Sequence, residues 1–386
     1  MFTKSFHFKN FEKKKIFLRD QKNLKQLLNK KQEIIKSLSS SYKSVYNKKK
    51  ISSNYKKYNE IRLIGMGGSI LGAKAIHDFL RHKIKKNFHF IDNLEPNLNQ
   101  SLKKNFLNIV ISKSGNTLET IANFNVLRNK GDKNIFITEN KKSNLRVLAK
   151  KLRSEIIDHN NFIGGRYSVL SEVGMLPAEF MGLNPSRFRQ LNYLIKNKLF
   201  LNSLIYNVGS ILSLIKKKKM NSIFLNYDSD LTNLLEWYKQ LMGESLGKKS
   251  KGILPLISNM PKDNHSVMQY YLDGPKKNFF TFFSSKNDSS MKIKNIKLEK
   301  DLNYLKNKSL SQIVKSQKIA TEKVFKYKKI PFRSFEIFKK NEKTLGELFI
   351  FFILETILLG KALNVNPYDQ PSVELIKTQT KKLLIK

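Results

Sequence analysis

The chain has 386 residues, 40% of them hydrophobic, enough for two α/β units of ordinary size with cores of their own. It has no cysteine, which excludes disulfides and thiolate metal sites and makes a reducing cytoplasm the expected compartment. The formal net charge is +43, but the lysines run from end to end, a compositional bias that identifies no nucleic-acid partner.

Residues 1–52 are polar and lysine-rich, with short apolar repeats such as Leu24-Leu27-Leu28 and Ile34-Ile35-Leu38. They read as an N-terminal helical segment packed on a larger body. The first residues lack an uninterrupted apolar run, so no secretory signal is expected. Residues 53–185 read as a first α/β domain. Its predicted elements are a strand at 60–64, a helix at 70–80, strands at 88–91, 109–111 and 134–138, a helix at 143–152 and a strand at 155–157. Residues 186–344 form a second such domain, with strands at 221–225, 253–257 and 279–283 and a helix at 230–242. Strands alternating with helices of this length imply parallel crossovers. The expected fold class is therefore α/β, with two doubly wound parallel-sheet units in αβα layers and helical segments at both ends.

Residues 345–386 read as a C-terminal helical tail. Its stretch 345–363 is the most apolar of the chain and nearly long enough to span a bilayer. Glu347 and Glu355 fall on one side of that helix, so burial in a core or subunit interface is expected and membrane insertion is not.

Two loops carry chemical information. Gly65-Met66-Gly67-Gly68-Ser69 joins a strand to a helix; Ile70 takes the sixth place of a dinucleotide fingerprint, and no Gly-Lys-Ser/Thr follows for a Walker loop. What remains is a glycine-rich turn whose backbone N–H groups lie open to an anion at a helix N-terminus. One crossover later, Ser112-Lys113-Ser114-Gly115-Asn116-Thr117 supplies hydroxyls, one cation and one glycine at the same kind of junction. A helix N-cap cluster would use similar residues. Two such loops side by side at the carboxyl ends of a sheet favour a phosphorylated small molecule.

Both loops resemble those of sugar isomerase (SIS) domains, which bind phosphosugars. Four further blocks resemble the glucose-6-phosphate isomerase (phosphoglucose isomerase) family: Ile163-Gly164-Gly165-Arg166-Tyr167-Ser168, then Gln240-Leu241-Met242-Gly243-Glu244-Ser245-Leu246-Gly247-Lys248, then Asp263-Asn264-His265-Ser266, and finally Tyr368-Asp369-Gln370-Pro371-Ser372-Val373-Glu374-Leu375-Ile376-Lys377. The likeness runs from about residue 60 to the C-terminus.

The resemblance implies an aldose–ketose isomerase acting on a hexose 6-phosphate. Glu244 would shuttle the proton between C1 and C2, and Arg166 would stabilise the enediolate oxygen. His265 and Lys377 would serve ring opening and proton transfer to the sugar oxygens. Gln240 and Gln370 would line the sugar pocket, and Gly68, Ser69, Ser112, Lys113, Ser114 and Thr117 the phosphate site. No metal and no cofactor are implied. A homodimer is expected, because in the family the equivalent of His265 enters the neighbouring subunit's site. Two positions depart from the pattern: Leu246 stands where the family has Asn, and Ser372 where it has Gly. A dual phosphoglucose/phosphomannose isomerase is the nearest rival, and a silent SIS-domain sugar-phosphate-binding regulator the rival from another class. The joint presence of Glu244, Arg166, His265 and Lys377 argues against the regulator.

Overall fold

The protein is described by a computed structural model over residues 3–12, 18–29, 32–96, 105–286, 290–294 and 300–385. Parts of the N-terminal helical segment (residues 1–2, 13–17 and 30–31) and the last residue of the tail lie outside these. Among the described residues, ten strands build two five-stranded sheets. Strand β1 (Phe6–Lys9) belongs to the second sheet. The first is made by β2 (Glu60–Gly65), β3 (Asn87–Ile91), β4 (Leu107–Ile111), β5 (Lys133–Glu139) and β6 (Glu155–His159), all parallel, in the order β3-β2-β4-β5-β6. Every residue of β4 is buried, as a central strand covered by helices on both faces must be. The chain reverses its direction of winding between β2 and β4, so the Gly65–Ser69 and Ser112–Thr117 loops emerge side by side.

The second sheet repeats this plan with β7 (Asn221–Asn226), β8 (Leu254–Asn259), β9 (Asn278–Ser285) and β10 (Phe332–Ile337), in the order β1-β10-β9-β7-β8. Its four late strands are parallel, and β1 closes the β10 edge antiparallel. The N-terminal segment is thus not helical throughout. Phe6 and Phe8 point inward and Lys9 outward, a two-residue alternation too short to stand out beside the helical repeats. The first crossovers of the two units, the helices Leu71–Phe79 and Thr232–Leu246, pack against each other and join the halves. Within the first unit, Gly72 lets the first of these helices sit close to the Arg166 segment: a Cβ on it would sit 2.7 Å from Val169 Cγ2.

The apolar stretch at 345–363 lies within the helix Glu342–Ala362, which packs on the helices Lys198–Lys216 and Thr232–Leu246 and is buried along nearly its whole length. The charge of its Glu355 is answered inside the core. Arg333 of β10 and Glu355 are both fully buried and form an ion pair. Arg333 also donates to Asn207 Oδ1 at 2.8 Å, Thr281 Oγ1 at 2.9 Å and the Tyr238 hydroxyl at 2.9 Å. Asn207 and Tyr238 donate in turn to the two Glu355 oxygens. Burial first and the Glu355 charge second push the Tyr238 phenol well above its usual range, so it serves as a neutral bridge. The expected residues 345–386 therefore divide between this core helix and a separate helix, Val373–Ile385, none of whose residues is buried.

Removing one partner of a buried pair strands the other charge without water. Arg333→Met is therefore expected to lower unfolding stability by about 3–5 kcal/mol in urea titrations, with Arg333→Met/Glu355→Leu recovering a large part of the loss. A single variant within about 0.5 kcal/mol of wild type would show that the pair does not hold the second sheet to its helices.

Candidate active site

The glycine-rich turn after β2 is built for close approach. Gly67 adopts a left-handed φ of 52°, and a Cβ there would lie 2.6 Å from Gln240 Nε2. A Cβ on Gly68 would fall 2.3 Å from the Gly165 carbonyl carbon and 2.5 Å from the Arg166 nitrogen. Gly68, expected as part of a phosphate site, is thus also the seat on which the Gly164-Gly165-Arg166 segment rests. Ser69 ends the turn, half-buried, with its N–H on the Met66 carbonyl at 3.1 Å.

From that seat Arg166 reaches across to the second unit. Its side chain is 3% exposed, and all its donors have partners. Nε donates to Ser245 Oγ at 2.8 Å. One terminal nitrogen donates to Glu244 Oε2 at 3.2 Å and Gln370 Oε1 at 3.0 Å, the other to the carbonyls of Pro367 at 2.7 Å and Asp369 at 2.9 Å. Glu244 lies in the last turn of Thr232–Leu246 with its side chain 30% exposed. Its second oxygen accepts from Gln240 Nε2, one turn earlier, at 2.9 Å. The structure therefore brings Arg166, Gln240, Glu244 and Gln370 into one hydrogen-bonded group beside Gly67 and Gly68. Leu246 is fully buried in the core beneath them, so an apolar side chain suits the position where the family has Asn.

The Ser112–Thr117 loop is folded on itself. The buried Ser112 hydroxyl meets Thr117 Oγ1 at 2.8 Å and accepts from the Gly115 N–H at 3.1 Å. The exposed Ser114 hydroxyl accepts from the Asn116 N–H at 3.2 Å. Gly115 has a φ of 66°, and a Cβ would strike Ser143 Oγ at 2.2 Å. Thr117 precedes the helix Leu118–Leu127 with no side-chain cap, which leaves its hydroxyl to the loop. Lys113 donates to the Asn161 carbonyl at 2.9 Å, and its ammonium lies 3.4 Å from Glu139. The cation is thus held between this loop and the segment leading to Arg166.

His265 and Lys377 stand outside this group. His265 ends a short 3-10 turn, Lys262–His265, with its side chain exposed. Lys377 is on the exposed Val373–Ile385 helix and pairs with Glu374 at 2.6 Å. Three contributors escape sequence reasoning. Ser245 holds Arg166 Nε and meets the Tyr167 hydroxyl at 2.9 Å, Tyr167 donates to the Pro367 carbonyl at 3.0 Å, and Asn161 anchors Lys113. Ser245 and Tyr167 adjoin Glu244 and Arg166 in their blocks, the only sequence signal for them. Among the described residues no group of three or more His, Asp or Glu is arranged to hold a metal ion.

The chain is similar to known proteins. Residues 7–253 match the family model for phosphoglucose isomerase. The chain is 35% identical to a glucose-6-phosphate isomerase of Methanocaldococcus jannaschii, over 82% of each chain. It is 38% identical to a glucose-6-phosphate isomerase of Mycoplasmopsis pulmonis, over 84% of this chain and 82% of that one. Among solved structures, a hypothetical protein of Thermus thermophilus superposes with a TM-score of 0.81 at 24% identity, covering 95% of this chain and 94% of that one. With a family match across more than half its length, and with Arg166, Gln240 and Glu244 inside the matched residues, the chain belongs to the phosphoglucose isomerase family.

Proposed function

We propose that the protein interconverts glucose 6-phosphate and fructose 6-phosphate, a step of glycolysis and gluconeogenesis, in the cytoplasm. The observation that carries this is the group of Arg166, Gln240, Glu244 and Gln370 at the junction of the two units, next to two strand-to-helix loops suited to a phosphate. With the 6-phosphate at the Ser112–Thr117 loop and Lys113, the sugar would extend toward Glu244. In the open-chain aldose, Glu244 takes the proton from C2, and the electron pair moves to form the C1–C2 double bond of an enediolate. Moving the hydroxyl proton from O2 to O1 and returning the carbon proton to C1 then gives the ketose, with the C2–O bond becoming the carbonyl. The charge that develops on oxygen falls beside the Arg166 guanidinium, which is already fixed and largely dry, so little reorganisation is needed as the charge forms. Gln240 holds the carboxylate from the other side. His265 and Lys377 are assigned to opening the ring and to moving protons among the sugar oxygens.

A homodimer with a shared site is part of this reading. His265 and Lys377 are the two residues assigned to proton transfer that a single chain leaves outside the Arg166–Glu244 group. Apolar side chains are exposed near both: Leu254, Leu256 and Tyr270 flank the His265 turn in sequence, and Leu375, Ile376, Leu383 and Leu384 lie on the helix of Lys377. Exposed apolar surface of this kind is characteristic of an interface.

Two measurements test the proposal. Purified Glu244→Gln is expected to turn over fructose 6-phosphate about a thousandfold more slowly than wild type while still binding it, because only the proton-transfer group is removed. Normal turnover would remove Glu244 from its role. For the shared site, inactive Glu244→Gln and His265→Ala chains, unfolded and refolded together, are expected to regain about a quarter of wild-type activity, since half the pairs are mixed and each has one intact site. A mixture no more active than its parts would place each site within one chain.

A further inference from the structure

We propose that the buried pair His159–Glu172 positions Arg166 by clamping the segment 160–166, without touching substrate; this rests on the catalytic role given to Arg166 above. His159 ends β6, and Glu172 opens the helix Glu172–Phe180, so the pair closes a loop that contains Arg166. Their side chains are 1% and 0% exposed. His159 Nδ1 is bonded to Glu172 Oε1, and Nε2 lies 3.0 Å from the Ile163 carbonyl oxygen. A neutral imidazole has one N–H, and a carbonyl can only accept. With oxygens at both ring nitrogens, the geometry is satisfied by a ring that donates from both, an imidazolium bridging a carboxylate to the loop backbone.

Glu172 fits the partner role. Burial raises its pKa, but the bond and charge of His159 and the backbone N–H of Asn160 outweigh this and leave it lowered. Its Oε1 accepts from the Asn160 N–H at 3.0 Å, and its Oε2 from the Tyr42 hydroxyl at 3.1 Å. The loop is thus gripped at Asn160 and Ile163 by the pair, at Asn160 Nδ2 by Glu33 at 3.0 Å, and at the Asn161 carbonyl by Lys113. Beyond Ile163, Gly164 and Gly165 open the 3-10 turn that carries Arg166, their carbonyls accepting from the Tyr167 N–H at 2.9 Å and the Ser168 hydroxyl at 2.6 Å, so the clamps upstream set where that turn meets Gly68 and where Arg166 starts. A displacement of about 1 Å at such a residue can lower turnover about a hundredfold.

The test uses the full-length protein and two substitutions. His159→Phe keeps the ring and removes both donors; Glu172→Gln keeps the shape and removes the charge. Each is made alone and combined with Arg166→Gln, and kcat and KM for fructose 6-phosphate are measured with the thermal midpoint. Glu172→Gln is expected to lower kcat about tenfold and His159→Phe more, with KM within about threefold, since the phosphate loop is intact. In the Arg166→Gln background each should subtract less than about twofold further, because the pair acts through that guanidinium. Equal losses in both backgrounds, or a kcat unchanged in Glu172→Gln, would overturn the positioning role. If His159→Phe does not fold, Glu172→Gln decides the matter alone. Full activity in Arg166→Gln itself would instead overturn the role of the arginine, a separate result.

Discussion

A guanidinium taken almost wholly out of water must have its charge and its N–H groups answered on the spot, and Arg166 imposes that demand on everything around it. Its hydrogen-bond partners come from two places far from it in the chain, the end of the Thr232–Leu246 helix and the turn at Pro367–Gln370. None could stand elsewhere without leaving a buried donor unpaired, at a cost of about 1–3 kcal/mol or more for a charged group. The junction between the two α/β units is therefore defined by hydrogen bonds that also define the candidate site.

The Thr232–Leu246 helix feels a second arginine at its middle. Arg333 and Glu355 hold Tyr238 from inside the second core, while Arg166 and Gln240 hold Glu244 near the helix end. A helix pinned at two points can neither rotate about its axis nor slide along it without breaking a charged contact. Each arginine comes from a different sheet, Arg333 from β10 and Arg166 from the segment after β6. The carboxylate assigned to proton transfer is thus located relative to both halves of the molecule at once. This is the rigidity that a proton shuttle between two adjacent carbons requires.

What could be read in the sequence follows from the range of the forces involved. Ile109-Val110-Ile111 announces a buried strand by local composition, and the five parallel strands of the first sheet fall where short apolar runs predict them. The glycine turns were legible because only glycine tolerates their backbone or their crowding. Strands β1 and β10 were not. β1 is four residues long, and β10 carries Arg333 and Glu336 in a Phe-Arg-Ser-Phe-Glu-Ile pattern that looks amphipathic until Glu355 and Asn207 are known to face the arginine. The same limit hid Ser245 and Asn161. Their importance lies in partners some 80 and 50 residues away, a relation no local pattern encodes.

Lys113 shows how position separates one cation from many. In a chain with 73 lysines and arginines, a lysine as such carries no information. This one lies in the loop after β4, near the switch point of the first sheet, with Glu139 and the Asn161 carbonyl fixing its ammonium in place. A flexible surface lysine would lose much of its side-chain freedom on meeting a phosphate, about 1.5–2 kcal/mol, whereas Lys113 has lost most of it already. The Glu139 charge competes for the same ammonium, so a bound phosphate would shift a pairing rather than create one.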